Sequence, residues 1–254
     1  MPPITHLLFD CDNTLVLSEH IAFEVCASLA NEILKNAGVD KTFTGPELQS
    51  TFVGQNFSGM LKGLQETYKF TMPPEEHEAY VKRELTAITQ ALSEKAEPCP
   101  GVNDVLKGLQ QTGQYGLAVV SSSAKPRVVA SIKKAGQGEF FVDEHIYSAM
   151  TSLDPPTSKP DPAVYLFACK DLGKKPEECV AIEDSGSGTL SATRAGIWVI
   201  GYVGPYEDAA EKAAMIEKLT KNGAKVIMDH WREFGDCLKK IEALESTQFL
   251  KLLE

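Results

Sequence analysis

Two aspartates, Asp10 and Asp12, close an apolar run near the start of the chain, in the segment ITHLLFDCDNT. A buried strand does not normally end in unpaired carboxylates, because an unpaired charge is costly to remove from water. Three further polar clusters follow apolar runs or precede a helix. Ser121, Ser122 and Ser123 follow LAVV, Glu183 and Asp184 follow CVAI, and Lys159 lies in the loop TSKPDP. Residues two apart in an extended strand share a face, which spaces Asp10 and Asp12 by about 7 Å, room for a small tetrahedral group. Asp184 arrives from another strand end. Three neighbouring carboxylates raise one another's pKa unless a cation neutralises them. Mg²⁺ suits that task, being a hard ion that takes oxygen ligands and keeps open positions for water or phosphate. It also lets a phosphate dianion approach a carboxylate nucleophile. Ser121 and nearby backbone N–H groups offer donors to a phosphate, and Lys159 offers a fixed positive charge. The chemistry these residue types suit together is phosphoryl transfer.

Elements of a particular kind must bring these clusters to one place. ITHLLF reads as a buried strand, and IAFEVCASLANEILKNAG as a helix that stops at Gly38. From there to about Pro98 the apolar residues recur at helical spacing, with Gly and Pro between the segments. Beyond EPCPGV the rhythm alternates. YGLAVVSS, EHIYSA, CVAIED, WVIGYV and KVIM read as strands, separated by amphipathic helices, and a last helix is expected to end near Glu245. Such alternation predicts an α/β fold with a parallel sheet covered on both faces. In such a sheet the ligand site lies at the carboxyl ends of the strands, where the polar clusters fall. The expected boundaries are a core of residues 1–16 and 98–254, with an all-helical insertion over 17–97.

Bulk composition narrows the partners. The chain has 254 residues and a formal net charge of -10, which argues against nucleic acid or an anionic membrane as the main partner. No run is long enough to span a bilayer, and ITHLLF lacks the basic flank of a signal peptide. The cysteines, scattered and without CxxC spacing, read as free thiols in a reducing compartment, so a cytoplasmic location is expected. Composition leaves the choice between a monomer and a weak dimer open.

The quoted segments FDCDNT, VVSSS, SKPDP and AIEDSGSG resemble, in order and spacing, the four motifs of the haloacid dehalogenase superfamily. The helical insertion resembles the cap of the subgroup that includes beta-phosphoglucomutase and many sugar-phosphate phosphatases. The resemblance implies a Rossmann-like core and an enzyme that hydrolyses a small phosphorylated metabolite, such as a sugar or polyol phosphate, with Mg²⁺. Carried over, it makes Asp10 the nucleophile that forms an aspartyl-phosphate, and Asp12 the general acid and base. Ser121, Ser122 and Lys159 hold phosphoryl oxygens. Asp10, the carbonyl of Asp12, and Asp184 ligate Mg²⁺, with Glu183 in or near the second shell. The family usually carries Gly where this chain has Asn13, a residue that also tolerates unusual backbone angles.

Rival readings are weighed on single residues. Superfamily dehalogenases replace the second acid, which is retained here as Asp12. Mutases similar to beta-phosphoglucomutase carry a His twelve residues after the nucleophile, and this chain has Ala22. A phosphate-sensing module needs no general acid, so Asp12 argues against it. EDSGSG lacks the Lys-Ser/Thr of a P-loop. Ser123 reads as a helix cap, Cys11 as a small side chain turned away from the site, and Lys125 or Arg127 as an anion attractor or a solvated helix start. Residues of TFVGQNFSGML are expected to choose the substrate.

Overall fold

The computed structural model describes residues 3–52 and 55–252, with side chains as far as Leu244. The strands are β1 (His6–Phe9), β2 (Val16–Leu17), β3 (Glu97–Pro98), β4 (Gly116–Ser121), β5 (Ile146–Ser148), β6 (Cys179–Glu183), β7 (Trp198–Tyr202) and β8 (Val226–Met228). The helices are α1 (Glu19–Asn36), α2 (Gly45–Thr51), α3 (Phe57–Tyr68), α4 (Pro74–Lys95), α5 (Val102–Thr112), α6 (Lys125–Lys134), α7 (Ala163–Asp171), α8 (Gly186–Arg194), α9 (Ala209–Lys221) and α10 (Phe234–Leu252). By internal packing the chain divides into two compact units, residues 1–17 with 97–254, and residues 18–96.

The first unit is built on a six-stranded sheet in the order β5-β4-β1-β6-β7-β8, with every adjacent pair parallel. β6 is buried at every position, as its CVAIE sequence requires of a central parallel strand. Strand alternation sends neighbouring side chains to opposite faces. Phe9 packs on one face against Phe141, Trp231 and Phe234, with ring centroids 5.8, 6.1 and 6.4 Å away. Leu8 packs on the other, in a cluster with Val120, Ala181, Val164 and Tyr165. Each such fully buried large side chain contributes about 1.5–3 kcal/mol, so the two faces hold β1 firmly between its neighbours.

The second unit is all helical. α1 buries Ile21, Leu29, Ile33 and Leu34, and ends where Gly38 takes a left-handed φ of 73°. α2 opens with a capping box, in which Thr44 and Glu47 satisfy each other's backbone N–H. α1 is tied to the segment before α2 by Asn31, which exchanges two hydrogen bonds with the backbone of Phe43, at 2.7 and 2.9 Å.

Two features depart from the sequence expectation. The strand pair β2–β3 is antiparallel and two residues long on each side, too short for any periodicity to reveal. It brings together the points where the first unit's chain departs and returns. The last helix continues past Glu245 to Leu252, because STQFLKL contains no Gly or Pro to stop it.

Candidate active site

β1 lies between β4 and β6 and is parallel to both, so the segments that follow all three open on one edge of the sheet. Asp10, Ser121 and Asp184 come to that edge from three strands. The extended geometry expected for Asp10 to Asp12 does not extend that far, because β1 stops at Phe9. The acids lie instead in a tight turn. Asn13 adopts φ 57°, and the N–H groups of Leu15 and Val16 both donate to the carbonyl of Cys11, at 3.0 and 3.1 Å. Asn is among the few residues besides Gly that take this backbone angle cheaply. The two carboxylates therefore meet different partners rather than sharing one strand face.

Asp10 belongs to a buried charge cluster. Its Oδ1 accepts from Lys159 Nζ at 2.6 Å. The same ammonium donates to Glu183 Oε1 at 2.6 Å and to the carbonyl of Val120 at 2.8 Å. An ammonium has three protons, so these contacts use all of them. Tyr165 donates its hydroxyl to Glu183 Oε1 at 2.5 Å, and Lys159 Nζ stands 5.1 Å from the centre of its ring. Burial raises the Asp10 carboxyl to about 7, even against the nearby Lys159 charge. Burial also pushes the Lys159 ammonium down, but the carboxylates of Asp10 and Glu183 outweigh it and hold that ammonium above its usual range.

Asp12 sits at the half-open side. Its Oδ2 accepts from Ser123 Oγ at 2.6 Å, and its Oδ1 from Arg127 Nη2 at 3.2 Å. Ser123 is thus not the helix cap the sequence suggested: the N-cap of α6 is Ala124, and the Ser123 hydroxyl turns to Asp12. Ser121 Oγ accepts from the backbone N–H of Ser123 at 3.0 Å, and Ser122 Oγ from that of Lys159 at 3.1 Å. The second bond joins the serine loop to the lysine loop. Cys11 points into the protein, with its Sγ 3.5 Å from Ser131 Oγ.

Carboxylate oxygens of Asp10, Glu183 and Asp184 lie within 4.8 Å of one another. Three acids against one ammonium leave an excess of negative charge, which a cation would relieve. Glu183 Oε2 is buried and has no hydrogen-bond partner among the described residues. Gly188 leaves it room, since a Cβ there would collide with that carboxylate. Asp184 Oδ1 accepts from Thr14 Oγ1 at 3.1 Å, which fixes its orientation. The donor set is all oxygen and hard, and it fits Mg²⁺.

Sequence reasoning missed Thr14 and Tyr165. Nothing in the sequence distinguishes Thr14 from a turn residue. Tyr165 lies in the first turn of the helix after SKPDP, where a buried aromatic reads as core. Lys125 and Arg127 were alternatives, and they separate: Arg127 reaches Asp12, while Lys125 reaches the carbonyl of Asp143. Val53 and Gly54, part of the segment expected to choose substrate, lie outside the described residues.

A family model for haloacid dehalogenase-like hydrolases matches residues 4–196. The chain belongs to that family. Among relatives of this hydrolase, Bacillus subtilis YhcW is 41% identical over 106 residues, spanning 41% of this chain and 44% of YhcW. The chain thus spans less than half of that relative's length. Validoxylamine A 7'-phosphate phosphatase of Streptomyces hygroscopicus subsp. limoneus is 27% identical over 88% of this chain and 96% of its own. A solved HAD family hydrolase from Deinococcus radiodurans R1, with bound phosphate and sodium, superposes with a TM-score of 0.69. It is 28% identical, over 94% of this hydrolase and 96% of that chain. Among the described residues no helix is long and apolar enough to cross a membrane.

Proposed function

We propose that this hydrolase is a Mg²⁺-dependent phosphatase that cleaves a small phosphorylated metabolite, a sugar or polyol phosphate, through an aspartyl-phosphate on Asp10. The observation that carries this reading is the arrangement of the two aspartates. Asp10 is buried against an ammonium beside a cluster of acids, and Asp12 is held separately by Ser123 and Arg127. The phosphate named for one relative and the phosphate bound in one solved neighbour support it.

Asp10 and Asp184, with the backbone carbonyl of Asp12, would hold the metal. When bound, Mg²⁺ neutralises the acids and lowers the repulsion between an incoming phosphate dianion and a carboxylate. Glu183 accepts from Lys159 and Tyr165, which suits it to anchoring the lysine. The Asp10 carboxylate forms a bond to phosphorus as the ester oxygen leaves. Lys159 gives up its contact with Asp10 to a phosphoryl oxygen, while Glu183 and Val120 keep it in place. Ser121 and Ser122 supply further donors. Asp12 donates a proton to the departing alcohol, and then takes one from the water that attacks the acyl phosphate. Residues 18–96 serve as the cap that selects the leaving group.

Turnover of p-nitrophenyl phosphate tests the reading. Activity should need Mg²⁺, vanish with a chelator and vanish in Asp10→Asn. Undiminished turnover in Asp10→Asn would exclude Asp10 as the nucleophile. A panel of sugar and polyol phosphates then identifies the leaving group.

A further inference from the structure

Cys169 on α7 and Cys179 at the start of β6 meet across the interface between helix and sheet, Sγ to Sγ at 3.9 Å. Both are buried, at 2% and 0% exposure, but they lie under a single surface turn. That turn carries exposed Asp171, Gly173 and Lys175, and is closed by the bond from Lys174 N–H to the Cys169 carbonyl at 2.8 Å. Helix ends are where local opening is easiest. The other cysteines have different surroundings: Cys11 faces Ser131 and Cys26 faces Glu84.

We propose that Cys169 and Cys179 form a peroxide-responsive dithiol whose closure to a disulfide slows this hydrolase. The thiolate of Cys169 attacks one oxygen of hydrogen peroxide, the O–O bond breaks, and the departing hydroxide takes a proton to become water. Cys169 is then a sulfenic acid. The Cys179 sulfur attacks it, the S–O bond breaks, and the Cys179 proton leaves with the hydroxide as a second water. Two thiols lose two electrons in all, and one peroxide gains them. Cys169 Sγ donates to Cys179 Sγ, which in turn reaches the Lys175 carbonyl at 3.6 Å. Contact with Cys179 holds the Cys169 thiol below its usual range, and contact with Cys169 holds the Cys179 thiol above it.

The link to the site is a second contact along the same interface. Tyr165 precedes Cys169 by one helical turn and shares its face of α7. Glu183 follows Cys179 by four residues and shares its face of β6. The Tyr165–Glu183 bond and the Cys169–Cys179 contact are therefore two rungs between the same elements, and Glu183 in turn holds Lys159. Bonding draws the sulfurs together, shifts α7 along β6, and disturbs the rung that positions Lys159. The slowing of turnover rests on the phosphatase reading, but the disulfide itself does not.

The test treats the full chain with hydrogen peroxide, then compares non-reducing tryptic peptide masses, p-nitrophenyl phosphate turnover and recovery with dithiothreitol. The expected result is a cross-linked peptide joining Cys169 to Cys179, with a fall of roughly tenfold in kcat and recovery on reduction. Cys169→Ser and Cys179→Ala should each keep basal turnover and lose the peroxide response; having two variants guards against one that fails to fold. Absence of the cross-link, or a peroxide loss that persists in both variants with Cys11 oxidised, would overturn the proposal. So would a cross-linked protein with unchanged turnover. An unoxidised protein that turns over no phosphoester would instead count against the phosphatase reading, while the peptide masses would still report on the disulfide.

Discussion

The two aspartates of the first motif differ by two positions and by almost everything else. Asp10 is 7% exposed, pressed against an ammonium, and its carboxyl is raised to about 7 by burial. Asp12 is partly open, with a hydroxyl on one oxygen and a guanidinium on the other. A buried carboxylate beside cations suits attack on phosphorus, whereas an accessible one with adaptable partners suits the movement of protons between solvent and substrate. On the proposed function, one residue type would receive two tasks from its surroundings alone.

The largest effect expected from breaking the contrast is at Asp10. Asp10→Asn should lower kcat for p-nitrophenyl phosphate by about 10⁴-fold or more, since the covalent step has no substitute nucleophile. Asp12→Asn should cost about 10²–10⁴-fold, and its character should differ. With an activated leaving group the phosphoenzyme should still form and then persist, seen as a burst without steady turnover. Absence of a burst would mean that Asp12 also serves the first step.

Lys159→Ala sharpens the comparison through stability. It leaves Asp10 and Glu183 buried without their shared cation, so the unfolding free energy should fall by about 3–5 kcal/mol, measured by denaturant titration. Arg127→Ala, at the more open acid, should cost under about 1 kcal/mol by the same measurement. Equal losses at the two sites would contradict the difference in burial.

The smallest effect is in pH dependence without metal. The folded Asp10 carboxyl titrates at about 7, above its ordinary value of 3.8. A raised acid binds its proton more tightly when folded, so its contribution is present at low pH and is lost as pH rises from about 4 through 7. In chelator the melting temperature of the native protein should therefore fall more steeply across that window than that of Asp10→Asn. Added Mg²⁺ should restore it at the upper end.

Much of this was legible in the chain. Apolar runs ending in acids or serines located β1, β4 and β6, and helical spacing located α1 to α4. The turn at Asn13 was not legible: the sequence offered that residue only as a tolerated replacement for Gly, and the turn cut short the extended run expected from Asp10 to Asp12. What escaped had a common cause. The β2–β3 pair is too short to carry a period, Ser123 looked like a cap from its local neighbours, and nothing near Tyr165 in the chain points to its partner Glu183.

By itself, then, the sequence determined which chemical groups stand at the sheet's edge, since strand ends and helix starts are written in local patterns of apolar and polar residues. The fold alone decided which group touches which. Ser123 is 111 residues from Asp12, Lys159 is 149 from Asp10, and Thr14 is 170 from Asp184. Pairings across such separations depend on strand order and on loops brought together in space, and no local pattern encodes them.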